Sequence, residues 1–197
     1  TLRQDGIRVL AVPSTRDRVR ARSAQVVRDI FAEHFPGPVS VLDVTYGPGG
    51  CWTWPFQAAG IVLTTSDINP AIKADHHWDF RHPYCPEKSF DVVLFDPPFT
   101  AAGCSAWAHT YGICRKHGGP RHTLEVALWL TMGTGQACLT ARKGVIVKYK
   151  DCVESGELAA HWEAAITVAA ACGWTLVDEW RTYGQRPQPA GRNYTTK

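Results

Sequence analysis

The chain has 197 residues, of which 45% are hydrophobic and 11% aromatic, enough to fill the core of one compact domain. A formal net charge of +3 excludes a strongly basic or acidic protein, although arginines crowd the stretch from Arg16 to Arg28. No run reaches the roughly 18 apolar residues of a membrane span, and the first residues form no apolar signal segment. We therefore expect a single soluble domain over residues 1–197, in the cytoplasm or associated with the nucleoid, and without a membrane partner.

The seven cysteines are scattered and include no C-x-x-C pair, which indicates reduced thiols rather than a disulfide framework. Cys104, Cys114, His117 and His122 have the spacing C-x9-C-x2-H-x4-H. This spacing lacks the tight pair of ligands that is typical of a zinc finger. We expect no metal site.

Helices and strands alternate along the chain. After Pro13, a capping pattern at Ser14 and helical spacing predict an amphipathic helix to about Phe35, within an N-terminal helical segment 1–36. Further helices are predicted over 52–59, from 70, over 123–139 and over 158–171, and strands over 39–44, 61–66, 90–95, 144–149 and 175–183. This alternation predicts an α/β fold, a single mostly parallel sheet with helices on both faces and ligands at the carboxyl ends of its strands.

A glycine-rich turn follows the first of these buried strands. Asp43 stands at the strand end, and Gly47, Gly49 and Gly50 follow it in the turn, where glycine lets the backbone approach a ligand. A dinucleotide fingerprint would need glycine or alanine where Trp52 stands, so a pyrophosphate ligand is disfavoured. Asp43 instead favours a ligand that carries a positive charge.

Two more acids follow in order. Asp67, directly before Ile68, ends the second strand, where a carboxylate can accept both ribose hydroxyls of an adenosine. Asp79 lies beside Phe80, a pair suited to an adenine amino group and its ring face. An Asp at a strand end is often only a turn former, but the three acids in register with alternating strands favour a nucleoside cofactor.

The sharpest motif is Asp96-Pro97-Pro98-Phe99, which follows the apolar strand 90–95. The Asp96 carboxylate can accept one hydrogen of an aryl amine and the Pro97 carbonyl the other, while the consecutive prolines fix the backbone. Phe99 offers a ring face for a base taken out of its stack. The alternative is a strand-terminating turn, since Pro stops strands and Asp favours turns.

With these residues the chain resembles the amino-methyltransferases of nucleic acids, from about Pro13 to Tyr183. Their acidic-or-polar-Pro-Pro-aromatic motif matches positions 96 to 99, and their glycine-rich turn matches positions 43 to 50. Asp at position 96 is most similar to the DNA N6-adenine enzymes. The resemblance implies a Rossmann-like methyltransferase fold and S-adenosylmethionine as cofactor. The cofactor-binding residues that it implies are Asp43, Tyr46, Gly47, Gly49, Asp67, Ile68, Asp79, Phe80 and Asp96, with Pro13 and Ser14 loosely matching a segment over the methionine end.

The resemblance also implies DNA, rather than RNA, as the nucleic-acid partner. Arg115, Lys116 and Arg121, in the loop 100–122, are the basic residues that we expect to contact it, together with Phe99. The arginines from Arg16 to Arg28 suit either phosphate contacts or a solvated helix face. No separate target-recognition domain is predicted, so sequence specificity is expected to be short, absent or supplied by a protein partner.

Alternatives remain within and outside this class. Cytosine N4 methylation, or methylation of an RNA base, would use the same two acceptors of Asp96 and Pro97. A non-catalytic methyltransferase-like subunit that binds nucleic acid is the alternative from another class, and the intact acids at 43, 67, 79 and 96 count against it.

Overall fold

A computed structural model of the chain describes residues 15–19, 22–82, 85–98, 123–149, 152–154, 157–159 and 162–183. The strands are β1 (Thr15–Val19), β2 (Val39–Asp43), β3 (Ile61–Thr65), β4 (Phe90–Phe95), β5 (Ala141–Val147), β6 (Cys152–Glu154), β7 (Glu157–Ala159) and β8 (Glu179–Tyr183). The α-helices are α1 (Ser23–His34), α2 (Thr123–Thr140) and α3 (Trp162–Ala171), with one 3-10 turn at Phe56–Ala59. No helix among these residues has the length and apolar character to cross a membrane.

The main sheet has four strands in the order β3-β2-β4-β5, and every neighbouring pair is parallel. Two smaller pairs complete the strands: β1 lies parallel to β8, and β6 forms an antiparallel hairpin with β7. The predicted α/β fold with a mostly parallel sheet is confirmed. All carboxyl ends of the four main strands therefore lie at one edge of the sheet.

The main sheet is covered on both faces. On one face, Val27 and Phe31 of α1 belong to the core cluster that contains Val41 of β2. On the other face, the next residue of β2, Leu42, packs with Ala137 of α2. Because successive side chains of a strand point to opposite faces, a continuous apolar run such as Val41-Leu42 serves both cores.

The N-terminal prediction was wrong in part. Residues 15–19, which we predicted as the start of a helix, form β1, and the helix begins only at Ser23. A local capping pattern at Ser14 carries no information about a partner strand, and β1 is defined by its pairing with β8 from the far end of the chain. Ser14 itself lies outside the described residues.

Three other predicted helices are shorter or absent. Of the predicted helix 52–59 only the 3-10 turn Phe56–Ala59 forms, after Pro55. Residues 70–82 form no helix: they consist of turns, bends and irregular backbone, with one isolated bridge from His76 to Ser66. The helix predicted from Leu158 begins at Trp162, because Glu157–Ala159 pairs with Cys152–Glu154 as a strand. The strands β2, β3 and β4 and the helix α2 lie within one residue of their predicted bounds.

A tight contact joins α2 to the strand that precedes the Asp-Pro-Pro motif. Phe95 is fully buried, and its ring occupies the space beside Gly133 of α2: a Cβ at that position would lie 2.0 Å from Phe95 Cζ. Gly135, two residues along the same helix, has room, with its nearest neighbour, Val168 Cγ1, at 3.4 Å. Only the first glycine is required by packing.

We expect Gly133→Ala to lower the free energy of unfolding by about 1–3 kcal/mol, because the added methyl group collides with the Phe95 ring. Gly135→Ala, the matched control, should raise the free energy of unfolding by up to about 1 kcal/mol, since alanine is the better helix former. Urea unfolding of both variants measures the difference. Equal effects of the two substitutions would contradict the assigned role of the Phe95 contact.

Candidate active site at the carboxyl edge of the sheet

Three carboxylates meet at the carboxyl edge of the main sheet. Asp43 ends β2, Asp67 follows β3 by two residues, and Asp96 directly follows β4. The charges of Asp96 and Asp67 both act on Asp43. The parallel register thus brings together three of the acids that the sequence analysis singled out.

Asp43 is 2% exposed, and both of its oxygens are engaged within the protein. The backbone N–H of Thr45 donates to Oδ1 at 3.0 Å, and the indole N–H of Trp52 donates to Oδ2 at 2.7 Å. Burial raises the pKa of Asp43 to about 7, against the lowering effect of the two hydrogen bonds, and the charges of Asp96 and Asp67 raise it further. Asp43 therefore stabilises the turn through these two hydrogen bonds. The sequence analysis did not identify Trp52 as its partner.

The glycine-rich turn is fixed to the neighbouring strand end. Gly47 and Gly49 have φ of +54° and +75°, and a Cβ at Gly49 would lie 2.7 Å from the Tyr46 hydroxyl, so this position needs glycine on two grounds. The Gly47 N–H donates to Asp67 Oδ2 at 2.8 Å, and the Tyr46 N–H to the Ser66 carbonyl at 3.0 Å. The turn and the acid after β3 form one unit.

Asp67 is a buried acid beside an exposed apolar side chain. Its Oδ1 accepts from the Asn69 N–H at 2.8 Å, which fixes the carboxylate, while Ile68 is 37% exposed. Among the described residues, no cation pairs with Asp67 or with Asp43. This part of the edge therefore combines the Asp67 carboxyl group with one open apolar surface, the side chain of Ile68.

The Asp79 carboxylate is committed to an arginine that the sequence analysis missed. Arg81 Nε lies 2.9 Å from Asp79 Oδ1, and Arg81 Nη2 pairs with Oδ2. Burial alone would raise the pKa of Asp79, but the hydrogen bonds and charge of Arg81 outweigh it and hold the pKa below its usual value. Arg81 also lies 4.5 Å from the ring centroid of Trp129, and Phe80 packs on Phe95 at 5.0 Å between centroids. An adenine amine at Asp79 would share the acid with Arg81.

Asp96 lies against the glycine-rich turn. Its backbone N–H donates to Thr45 Oγ1 at 2.7 Å, and its Oδ2 accepts from Lys148 Nζ at 2.6 Å and from the Cys51 thiol at 3.8 Å. Burial raises the pKa of Asp96 above its usual value, and the Lys148 ammonium opposes the rise. Burial likewise raises the pKa of Cys51 to about 12, so this thiol stays protonated.

The prolines after Asp96 complete the described part of the motif. Pro97 is buried and Pro98 half-buried, and no described residue donates to the Pro97 carbonyl. Phe99, Pro13 and Ser14 lie outside the described residues, as do the basic loop residues Arg115, Lys116 and Arg121 and the four residues Cys104, Cys114, His117 and His122. The predictions made for these positions stay predictions.

No protein-family profile and no curated protein sequence matches the chain. Solved structures with a similar arrangement include the PH0226 protein of Pyrococcus horikoshii (15% identity, TM-score 0.43, 64% of this chain and 56% of that one). A second, from Anabaena variabilis, is described as a methyltransferase from an antibiotic biosynthesis pathway (14%, TM-score 0.39, 66% and 49%). A third is a TehB-like SAM-dependent methyltransferase from Corynebacterium glutamicum (14%, TM-score 0.42, 75% and 72%).

This chain spans about half the length of the first two of these proteins. With TM-scores below 0.5 and identities of 14% and 15%, the likenesses do not establish a common activity. The fold class follows from the strand order and register of the chain itself.

Between pH 3.8, the usual pKa of an aspartate, and about pH 7, the pKa of Asp43 in the folded protein, the folded state holds a proton that the unfolded state has lost. The contribution of Asp43 to the free energy of unfolding therefore falls as the pH rises through this interval. The loss across this interval is roughly 4 kcal/mol. We expect carboxyl-detected carbon NMR to show one aspartate titrating near pH 7. Its resonance should be missing from Asp43→Asn, and a wild-type spectrum in which every aspartate titrates near its usual pKa would refute this account of Asp43.

Proposed function

We propose that the chain transfers a methyl group from S-adenosylmethionine to the exocyclic amine of a DNA base, with adenine N6 as the preferred acceptor. The observation that carries the proposal is the 2.7 Å hydrogen bond from the Asp96 backbone N–H to Thr45 Oγ1. It joins the Asp-Pro-Pro motif, which has the acceptors for an amine, to the glycine-rich turn, which has the features of a cofactor site. Methyl transfer needs these two sites side by side.

The cofactor proposal fits the charge and shape of the carboxyl edge. A sulfonium with an α-amino group is cationic, and the edge offers the acid Asp67, which has no cation partner among the described residues. The turn at Gly47 gives the backbone close access. In this assignment Asp67 accepts the ribose hydroxyls, Ile68 lies against the adenine ring, and the turn holds the amino-acid end.

Asp96 and Pro97 perform the work on the amine. The lone pair of an aryl amine is delocalised into its ring, so two acceptors that take its hydrogens draw the nitrogen toward tetrahedral geometry. Asp96 Oδ1 and the Pro97 carbonyl are those acceptors, and no described residue donates to either. When bound, S-adenosylmethionine supplies a sulfonium methyl group, which passes to the amine nitrogen as the C–S bond breaks and its electron pair stays on sulfur. The nitrogen then sheds a proton, and the nearby Asp96 carboxylate is the base that receives it.

The identity of the base rests on the resemblance. Asp at position 96 is the form typical of the adenine enzymes, and the base has to leave its stack to reach Asp96. Phe99 is proposed to stack on it, and Arg115, Lys116 and Arg121 to contact the DNA backbone. A protein partner for target recognition belongs to the same proposal.

We expect Asp96→Asn to reduce methyl transfer by at least about 100-fold, because the amide is a poor base and cannot accept the proton. Asp91→Asn is the matched control: Asp91 lies at the amino end of β4, the strand that Asp96 follows, and there it accepts from Ser40 and Lys143. The assay is mass spectrometry of nucleosides after incubation of protein and S-adenosylmethionine with unmethylated DNA or RNA.

N6-methyladenine in DNA, formed by the wild type and by Asp91→Asn only, is the expected result. If the product is N4-methylcytosine or a methylated RNA base instead, adenine N6 of DNA is not the preferred acceptor, and the base in that product is. Absence of every methylated nucleoside from the wild-type reaction would overturn the proposed function.

We expect Asp67→Ala to weaken cofactor binding by about 10-fold or more, because the variant loses the ribose acceptor and the anchor of the Gly47 N–H. Asp96→Asn should bind the cofactor within a few-fold of the wild type. Isothermal titration calorimetry with S-adenosylmethionine distinguishes the two variants. If Asp67→Ala binds as tightly as the wild type, the ribose assignment is wrong.

A further inference from the structure

We propose that Lys148 is a positioning residue for Asp96: its ammonium group holds one oxygen of the Asp96 carboxylate and keeps the group ionised, so that the other oxygen accepts a hydrogen of the substrate amine. The inference rests on the proposed function, because it assigns a role within the same site. Lys148 was not among the residues that the sequence analysis selected.

The sheet register places Lys148 beside Asp96. In the parallel pair β4 and β5, Phe95 lies opposite Val147, and each is the last residue of its strand. The next residues are therefore neighbours, and the Lys148 N–H donates to the Phe95 carbonyl at 2.9 Å. Backbone hydrogen bonding alone therefore places the Cα atoms of Asp96 and Lys148 next to each other, independently of the ion pair.

The ion pair divides the Asp96 carboxylate into two unlike oxygens. Oδ2 accepts from Lys148 Nζ at 2.6 Å and, weakly, from the Cys51 thiol at 3.8 Å. No described residue donates to Oδ1. A charge-assisted hydrogen bond of this length fixes the carboxylate plane, so Oδ1 keeps a defined direction for a substrate.

The charge of Lys148 opposes the effect of burial on the Asp96 carboxyl group. The Asp96 side chain is only 20% exposed, and burial favours the neutral acid, which cannot accept a hydrogen at both oxygens. Lys148 is the cation whose charge and hydrogen bond favour the ionised form, whereas Cys51 is neutral and offers only a weak donor. Lys148 is itself 39% exposed, so its ammonium keeps part of its hydration.

The pair also serves the proton balance of the reaction. As the nitrogen–carbon bond forms and the carbon–sulfur bond breaks, the nitrogen becomes cationic and gives one proton to Asp96 Oδ1. The carboxylic acid formed in this step has to return its proton to water before the next turnover. The adjacent ammonium lowers the basicity of Asp96 and so favours this release.

The test compares Lys148→Gln, which keeps a donor but loses the charge, with Lys148→Arg, which keeps the charge. Lys143→Gln is the matched control. Lys143 lies near the amino end of β5, the strand that Lys148 follows, and it also pairs with an aspartate, Asp91 at 3.2 Å. Two properties are measured for each variant: the pH profile of methyl transfer, and the titration of the Asp96 carboxyl by carbon NMR without cofactor, with the Asp43 resonance assigned separately from Asp43→Asn.

In Lys148→Gln we expect the acid limb of the rate profile and the Asp96 titration both to move to higher pH, with the rate below neutral pH reduced at least about 10-fold. Lys148→Arg should restore both toward the wild type, and Lys143→Gln should leave both unchanged. An Asp96 titration that does not move in Lys148→Gln, or a rate loss that is uniform across pH, overturns the inference. If Lys148→Gln does not fold, nitrogen NMR of the Lys148 ammonium in the wild type replaces it, and an ammonium resonance that does not change as Asp96 titrates overturns the inference.

These outcomes are separable from the failure of the proposed function. A wild type that forms no methylated nucleoside refutes the proposed function, while the NMR titration still reports whether Lys148 controls Asp96. An active wild type whose Asp96 titration is independent of Lys148 refutes the inference alone.

Discussion

The meeting of three carboxyl groups, those of Asp43, Asp67 and Asp96, is the constraint around which the carboxyl edge of the sheet is arranged. Parallel register forces the ends of β2, β3 and β4 together, and each acid is satisfied differently. Asp43 is buried between two N–H donors and titrates near neutrality, Asp67 holds the glycine-rich turn, and Asp96 takes the ammonium of Lys148. Asp67 has no cation partner among the described residues, and it is the acid that we propose for the cationic cofactor.

The central strands of the site, β2 and β4, were predictable from sequence because they are buried on both faces. Runs such as Val92-Val93-Leu94 have no polar interruption, and their ends are marked by acids or by proline. A long apolar stretch likewise predicted the helix α2. Order along the chain and parallel register were then enough to bring Asp43, Asp67 and Asp96 to one edge.

The local sequence pattern could not predict which strands pair with each other or which side chains pair with the acids. Neither β1 nor the hairpin of β6 and β7 has a long apolar run, and each is defined by the strand it pairs with. Lys148 would have been found from register, as the residue after the strand next to Asp96, had the pairing of β4 with β5 been considered. Arg81, only two residues from Asp79, gave no signal, since the side chains of such neighbours meet only where the chain turns.

The pairing of β1 with β8 has a consequence for folding kinetics. It joins Thr15 with Glu179 and so closes nearly the whole chain into one loop, whereas the pairing of β2 with β3 closes a short one. Loop-closure entropy makes such distant contacts late to form and slow to recover. The four-stranded core can thus form during synthesis before β8 is available to β1, and native-state opening is expected to begin at the pair of β1 and β8.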